Sequence, residues 1–219
     1  MRIGILADIH EEVRWLGLAL ERFRQERVDQ VVVLGDVFCT GRDILPTVEL
    51  LRLAHPVGVW GNHDFGLCFD PAPLVQERYA GPVLDFVATL RPRLEIDGCL
   101  FSHVEPWLDP TDLAQLWYFD GPPDTPAKAA RSFDAQPHRV MFVGHFHRWL
   151  IARRTGCLAW DGSAPIRLNA WERYLVSIAA VCNGKCASFD TDANELVPHD
   201  LGASSGEENG HGRTTAGPV

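Results

Sequence analysis

Residues 2–10 read RIGILADIH, and residues 30–36 read QVVVLGD. Each stretch is a short, continuous apolar run that stops at aspartate or histidine. Such runs are typical of strands that are buried on both faces in a parallel sheet. Between them, residues 12–27 carry apolar side chains at helical spacing, which predicts an amphipathic helix. A strand, a helix and a second strand in this order predict a parallel sheet with a crossover helix.

The alternation continues towards the middle of the chain. Residues 43–54 predict a second helix, in which Pro46 fits only near the first turn. PVGVWGNHD, residues 56–64, then predicts a strand followed by a loop. The order β-α-β-α-β indicates the α/β class.

The second half of the chain is less regular. RLEIDGCLFS, residues 93–102, predicts a hairpin that turns at Asp97 and Gly98. RVMFVGHFH, residues 139–147, predicts another strand that runs into a loop, and short runs after it predict a terminal antiparallel group. Further helices are expected at residues 82–91, 111–117 and 126–134.

The length and composition predict a globular protein with one main domain. A chain of 219 residues with 46% apolar and 22% charged residues can bury a full core. We expect this domain to span residues 1–200. Residues 201–219 are rich in glycine and polar residues, and they predict a disordered tail.

The net charge of −9 argues against nucleic acid as a partner, because nucleic-acid binders usually carry a basic face. No stretch approaches the ~20 apolar residues of a membrane span, and the N-terminus predicts a first strand rather than a signal peptide. The six cysteines include no CxxC pair, so we expect reduced, mostly buried thiols in a cytoplasmic protein. CNGKC, residues 182–186, predicts a tight hairpin turn.

One pattern recurs along the chain: an apolar strand ends in a short group of histidine, aspartate or asparagine. The five groups are LADIH (6–10), LGDV (34–37), GNHD (61–64), FSH (101–103) and VGHFH (143–147). In an α/β sheet the carboxyl ends of parallel strands converge on one edge, where ligands bind. Five such strand ends therefore predict a polynuclear metal site, to which His103 is the fourth contribution.

In this order the five groups resemble the pattern of the calcineurin-like metallophosphoesterases, DxH, GD, GNH[DE], H and GHxH. The resemblance runs from Asp8 to His147, about two-thirds of the chain. One of these motifs alone is a weak signal, but all five in order are specific. The resemblance implies an α/β fold built as a four-layer α-β-β-α sandwich, in which helices flank two mixed sheets.

The resemblance also implies a role for each polar residue. The ligands of one metal ion would be Asp8, His10 and His147. The ligands of a second ion would be Asn62, His103 and His145. Asp36 resembles the carboxylate that bridges the two ions. His63 matches the catalytic histidine, and Asp64 resembles the partner that orients it.

The implied chemistry is consistent with these residue types. Two divalent ions bring four positive charges, while Asp8 and Asp36 supply two negative ones, and the surplus attracts a phosphate ester and lowers the pKa of a bridging water. Mixed imidazole, carboxylate and amide ligands suit Mn, Fe, Zn or Ni better than Ca or Mg. His63, kept protonated by Asp64, could protonate the leaving oxygen or stabilise developing charge. We expect hydrolysis of a small phosphomonoester or phosphodiester by attack of metal-activated hydroxide.

Several points stay open from the sequence. Glu11 and Val104 replace glycines that are frequent in the pattern, and GDVFCTG, residues 35–41, lacks the arginine of the phosphoserine/threonine phosphatases. The alternative function is a catalytically weak scaffold of this fold that binds protein partners, which the loss of a ligand would favour. The aromatic segment 107–119 either walls the pocket or packs as a satellite cluster. The oligomeric state is left open.

Overall fold

The first half of the chain alternates strands and helices, as the apolar runs predict. A computed structural model describes residues 1–202. Almost all of the predicted tail, 201–219, lies outside the described residues, so the domain boundary at residue 200 stays a prediction. The elements are β1 (Arg2–Leu6), α1 (Val13–Glu26), β2 (Gln30–Leu34), α2 (Ile44–Ala54), β3 (Val57–Val59), α3 (Phe65–Cys68), α4 (Pro73–Arg78) and α5 (Pro82–Val87).

The second half contains shorter strands. The elements are β4 (Leu94–Ile96), β5 (Cys99–Ser102), α6 (Leu113–Leu116), α7 (Pro126–Ala135), β6 (Val140–Val143), β7 (Leu150–Arg153), β8 (Gly156–Cys157), β9 (Ile166–Arg167), β10 (Tyr174–Ser177), a 3-10 turn (Val181–Asn183), β11 (Lys185–Asp190) and β12 (Glu195–Asp200). The hairpin predicted between β4 and β5 is confirmed. Its turn residues Asp97 (φ 49°) and Gly98 (φ 75°) adopt the left-handed conformation that a two-residue hairpin turn requires.

The described residues form two six-stranded mixed sheets. The first sheet has the order β3-β2-β1-β11-β12-β9, and the second has the order β4-β5-β6-β10-β7-β8. β1, β2 and β3 run parallel, as do β5, β6 and β10. α1 covers the first sheet with the buried side chains of Leu16 and Phe23, and α7 covers the second with Ala129 and Phe133. This is the predicted α-β-β-α sandwich.

Apolar side chains from both sheets meet in the central layer. The first sheet contributes Ile5 and Phe189, and the second contributes Phe101 and Phe142, all fully buried. The Phe142 ring stacks on Phe101 at 5.2 Å within its own sheet and meets Phe189 of the other sheet at 5.1 Å. These contacts fix how the two sheets are placed against each other.

Three expectations need correction. CNGKC does not form a hairpin, because β10 belongs to the second sheet and β11 to the first, and the chain crosses between them through the 3-10 turn. The six cysteines are free thiols, but only Cys99 and Cys186 are buried. The short helices α3 and α4 were not predicted, and α5 is shorter than residues 82–91. Within residues 1–202, no helix has the length and apolarity that a membrane span needs.

Candidate metal centre

Five strand ends lead to one edge of the sandwich, as the recurring pattern predicts. β1, β2 and β3 end there from the first sheet, and β5 and β6 end there from the second. His103 Nδ1, just after β5, lies 2.7 Å from the carbonyl oxygen of Leu34 at the end of β2. The side chains that follow the strands of both sheets therefore share one site.

Asp8, His10 and His147 form the first donor group. His147 Nε2 lies 3.2 Å from His10 Nε2 and 3.4 Å from Asp8 Oδ1. The Asp8 carboxylate is fully buried, and both of its oxygens accept a hydrogen bond from the backbone N–H of His145 at 3.1 Å. The hydrogen bond with Asp8, with a contribution from Cys182, raises the pKa of His147 to about 10.

Asn62, His103 and His145 form the second donor group. Asn62 Oδ1 lies 3.0 Å from His103 Nε2 and 3.2 Å from His145 Nδ1. His103 is fully buried, and burial lowers the pKa of His145 to about 4. The three donors come from β3, β5 and β6, so both sheets supply this group.

Asp36 is common to the two groups. Its Oδ2 lies 3.8 Å from His10 Nε2 and 3.4 Å from His103 Nε2. Ligand atoms of Asp8, His10 and Asp36 lie within 4.8 Å of one another, as do those of Asp36, His103 and His145. Burial opposes ionisation of Asp36, but His103 and the backbone N–H of His63 outweigh it and hold the pKa of this carboxyl below its usual range.

The donor set fits the pair of metal ions that the sequence pattern implies. Imidazole nitrogens, two carboxylates and one amide oxygen are ligands that transition metals accept. Two imidazole Nε2 atoms face each other at 3.2 Å, an arrangement that a shared cation would stabilise. His103 Nε2 and His145 Nδ1 converge on Asn62 Oδ1, so one cation bound there would be ligated by all three atoms.

Most of these donors sit on strained backbone. The residues concerned have φ between 50° and 65°, and they are Asp8, His10, Asp36, His145 and His147. Residues other than glycine rarely adopt this left-handed backbone conformation, and those that do are concentrated at functional sites. Backbone hydrogen bonds hold it here: the N–H groups of Asp8 and His10 donate to the carbonyls of Gly35 and Asp36.

Two glycines of the motifs allow the close packing of this edge. A Cβ on Gly61 would lie 2.1 Å from Asp36 Oδ1, and a Cβ on Gly35, whose φ is +83°, would lie 2.7 Å from His103 Nδ1. Both distances are far below van der Waals contact. Glycine is therefore required beside the Asp36 and His103 side chains.

His63 and Asp64 are neighbours in sequence but point in different directions. His63 is exposed, its backbone N–H donates to Asp36 Oδ1 at 3.0 Å, and its ring meets His10 edge-on at 5.1 Å. The fully buried Asp64 carboxylate instead accepts hydrogen bonds from the backbone N–H groups of Val37, Phe38 and Gly61. Burial and the charge of Asp36 raise the pKa of Asp64 to about 6.

This placement corrects the predicted contact between Asp64 and His63. Asp64 fixes the loops after β2 and β3 against each other, so it positions the segments that carry Asp36 and Asn62. The sequence offered no sign of this, because a carboxylate bound by distant backbone N–H groups leaves no spacing pattern.

Two residues beside the site were not predicted. The buried Glu11 carboxylate accepts five hydrogen bonds, from the backbone N–H groups of Cys39, Gly41, Arg42 and Asp43 and from the Thr40 hydroxyl. Burial opposes ionisation of Glu11, but these bonds outweigh it and lower the pKa of this carboxyl to about 2. Cys182 Sγ lies 3.8 Å from His147 Nδ1. The glutamate in place of the frequent glycine after DxH was the available signal for the first, and none marked the second.

The aromatic segment divides between core and site. Trp107 packs on the core. Trp117 lies 5.1 Å from the His63 ring, and Phe119 lies 5.8 Å from the His145 ring, between ring centroids. The segment therefore packs on the main core through Trp107 rather than as a satellite cluster, and it places Trp117 and Phe119 beside the site.

The sequence matches one protein-family model over most of its length. The model describes the calcineurin-like phosphoesterase superfamily domain, and it matches residues 1–176. This chain belongs to that superfamily. Calcineurin-like phosphoesterases were expected from the five motifs, and the matched range includes every residue of the candidate site.

A match to an individual protein covers a shorter part of this calcineurin-like phosphoesterase. The uncharacterized protein MJ0912 of Methanocaldococcus jannaschii is 31% identical over 65 residues, which cover 30% of this chain and 27% of that protein. The matched part of this chain thus spans about a quarter of that relative's length.

Solved structures share the fold. A metallophosphoesterase from Sphaerobacter thermophilus superposes with a TM-score of 0.71 at 23% identity, over 91% of this chain and 87% of that one. A novel archaeal phosphodiesterase superposes with a TM-score of 0.55 at 15% identity, over 91% and 99%. At these identities the likeness concerns the fold alone.

Proposed function

We propose that this calcineurin-like phosphoesterase hydrolyses a small phosphate ester with two metal ions. The observation that carries the proposal is the position of Asp36, whose carboxylate lies between the two donor groups and within 4 Å of a histidine of each. A carboxylate shared by two groups is what two-metal hydrolases use to hold their ions close together.

The remaining donors divide between the two ions. Asp8, His10 and His147 would hold the first, and Asn62, His103 and His145 the second. Mn, Fe, Zn and Ni all accept such ligands. When bound, two divalent ions neutralise phosphoryl charge and make water nucleophilic near neutral pH.

His63 would act on the ester rather than on the metals. Its ring is exposed at the open side of the site, where an imidazole N–H can reach the oxygen of the leaving alcohol. Proton donation to that oxygen lowers the barrier for esters with poor leaving groups. Asp36 fixes the position of this histidine through the backbone N–H of His63.

An assay with defined metals tests the proposal. Metal-free protein would be supplied separately with Mn²⁺, Fe²⁺, Zn²⁺ and Ni²⁺ and assayed with p-nitrophenyl phosphate and bis(p-nitrophenyl) phosphate. We expect turnover only with added metal, loss of turnover in His145→Ala, and retention in His55→Ala, an exposed histidine outside the site. Absence of turnover with every metal and both esters contradicts the proposal, as does equal turnover without metal.

A further inference from the structure

Three consecutive aromatic side chains are exposed beside the site. Trp117 is 53% exposed, Tyr118 41% and Phe119 62%. We call these three residues the aromatic wall. Contiguous exposed apolar surface of this kind commonly marks a binding site, because exposure of apolar side chains to water does not stabilise the fold.

The aromatic wall lies beside two histidines of the proposed reacting centre. The Trp117 ring lies 5.1 Å from the ring of His63, the proposed proton donor. The Phe119 ring lies 5.8 Å from the ring of His145, a proposed ligand of the second ion. A group attached to a phosphorus atom between these histidines would come into contact with the wall.

The wall is held in place from behind. Tyr118 meets Trp107 edge to face at 5.5 Å, and the guanidinium of Arg131 lies over the Trp107 ring at 4.4 Å. Phe119 also packs on Phe146 at 6.0 Å. These contacts support the Tyr118 and Phe119 rings, and a ring that is already held in place loses less entropy when a ligand binds to it.

The cations next to the wall are already paired. Arg131 forms ion pairs with Asp120 at 3.2 Å and with Glu105 at 3.6 Å, and Lys128 lies 3.9 Å from Asp120. A second anionic group of a substrate would find these charges neutralised. On this side of the site the exposed rings are therefore the groups left to contact a substituent of the substrate, and they suit a flat, uncharged aromatic group.

We propose that the aromatic wall selects phosphate esters that carry a flat aromatic group, which stacks on Trp117 or Phe119. The inference rests on the proposed function, because the metals hold the phosphoryl group that brings the aromatic group to the wall. The aromatic group is either an aryl substituent or a nucleobase, since both present the same π-face.

Binding of matched phosphonates to Mn²⁺-loaded protein tests the inference without catalysis. Phenylphosphonate and ethylphosphonate carry the same anionic group, and neither has an ester bond to hydrolyse. Stacking on one aromatic side chain would make phenylphosphonate bind roughly 5- to 100-fold more tightly by titration calorimetry. Equal dissociation constants for the two phosphonates would overturn the inference.

Variants of the aromatic wall show where the preferred phenyl group binds. Trp117→Ala or Phe119→Ala should bring the ratio of the two dissociation constants towards one, whatever loss is common to both. Trp171→Ala is the matched control, because Trp171 is 94% exposed in the loop between β9 and β10, and it should keep the wild-type ratio. A preference that survives in both wall variants would place the aromatic site elsewhere and overturn the inference.

A second pair distinguishes the two sources of the aromatic group. Tighter binding of adenosine 5′-monophosphate than of ribose 5-phosphate would identify a nucleobase, and a preference confined to phenylphosphonate would identify an aryl group. If both phosphonates bind equally and esters are hydrolysed, the wall inference fails and the proposed function stands. If neither phosphonate binds and no ester is hydrolysed, both fail.

Discussion

At the scale of single residues, several polar side chains of the site lie on backbone in an unfavourable conformation. Each left-handed non-glycine residue costs about 1–3 kcal/mol, and Asp8, His10 and Asp36 all have φ near 50°. The loops after β1 and β2 hold one another in this state through backbone hydrogen bonds. The hydrogen bonds between the two loops therefore offset part of the cost of this backbone conformation.

The gathering of these polar side chains at one edge could be predicted, but their support could not. Polar residues at the ends of apolar strands indicated Asp8, Asp36 and His145 from the sequence alone. The backbone N–H groups that bind Glu11 and Asp64 belong to residues of any type, so no sequence pattern reveals them. The predicted contact of Asp64 with His63 was wrong for this reason.

His63→Ala separates proton donation from metal binding. We expect the variant to keep its metal content and to lose roughly 10²–10⁴-fold in turnover, the usual contribution of a positioned general acid. The loss should be smaller for p-nitrophenyl phosphate than for phenyl phosphate, because nitrophenolate leaves without protonation. Metal analysis and kcat for both esters provide the check.

Equal losses for the two esters would exclude His63 as the proton donor and indicate stabilisation of charge instead. A fall in metal content would show that His63 is a ligand. His55→Ala, which changes an exposed histidine outside the site, controls for the general effect of removing an imidazole.

At the scale of elements, the alternation of β1, α1, β2, α2 and β3 was predictable because each strand is one apolar run. The later strands were harder to predict, since β8 and β9 have two residues each. The prediction of a hairpin at residues 182–186 was wrong, because turn residues alone do not indicate whether the flanking strands belong to the same sheet. Here the chain changes sheets at that point.

The loop between β2 and α2 depends on one side chain. Glu11→Gln would place an amide N–H₂ among the five donors that now bind the carboxylate, and unpaired buried donors cost about 1–3 kcal/mol each. We expect a lower urea midpoint for metal-free protein and faster trypsin cleavage after the exposed Arg42. Glu12→Gln, at an exposed neighbouring position, should match the wild type in both measurements. Unchanged cleavage in Glu11→Gln would show that the loop is held by other contacts.

At the scale of the whole molecule, the site joins the two sheets. The first sheet carries Asp8, Asp36 and Asn62, and the second carries His103 and His145. The central core therefore sets the distance between the two halves of the donor set, and metal ions bound across the edge would stabilise the packing in return.

Phe142→Ala tests this dependence on the core. Phe142 is fully buried and touches phenylalanines of both sheets, so its truncation should cost about 3–5 kcal/mol of unfolding free energy. We expect urea unfolding of metal-free protein to show this loss and metal affinity to fall with it. A loss below about 1 kcal/mol would mean that the sheets are held together without this contact.

In the proposed centre, Asp36 joins the two metal sites. The most direct test of this role is the number of Mn²⁺ ions that bind to metal-free wild-type protein and to Asp36→Asn, measured by titration calorimetry and elemental analysis, with Asp161→Asn, at an exposed position, as the control. We expect two ions per chain in the wild type and in the control, and at least one ion lost in Asp36→Asn together with nearly all turnover. Two tightly bound ions and wild-type turnover in Asp36→Asn would contradict this role.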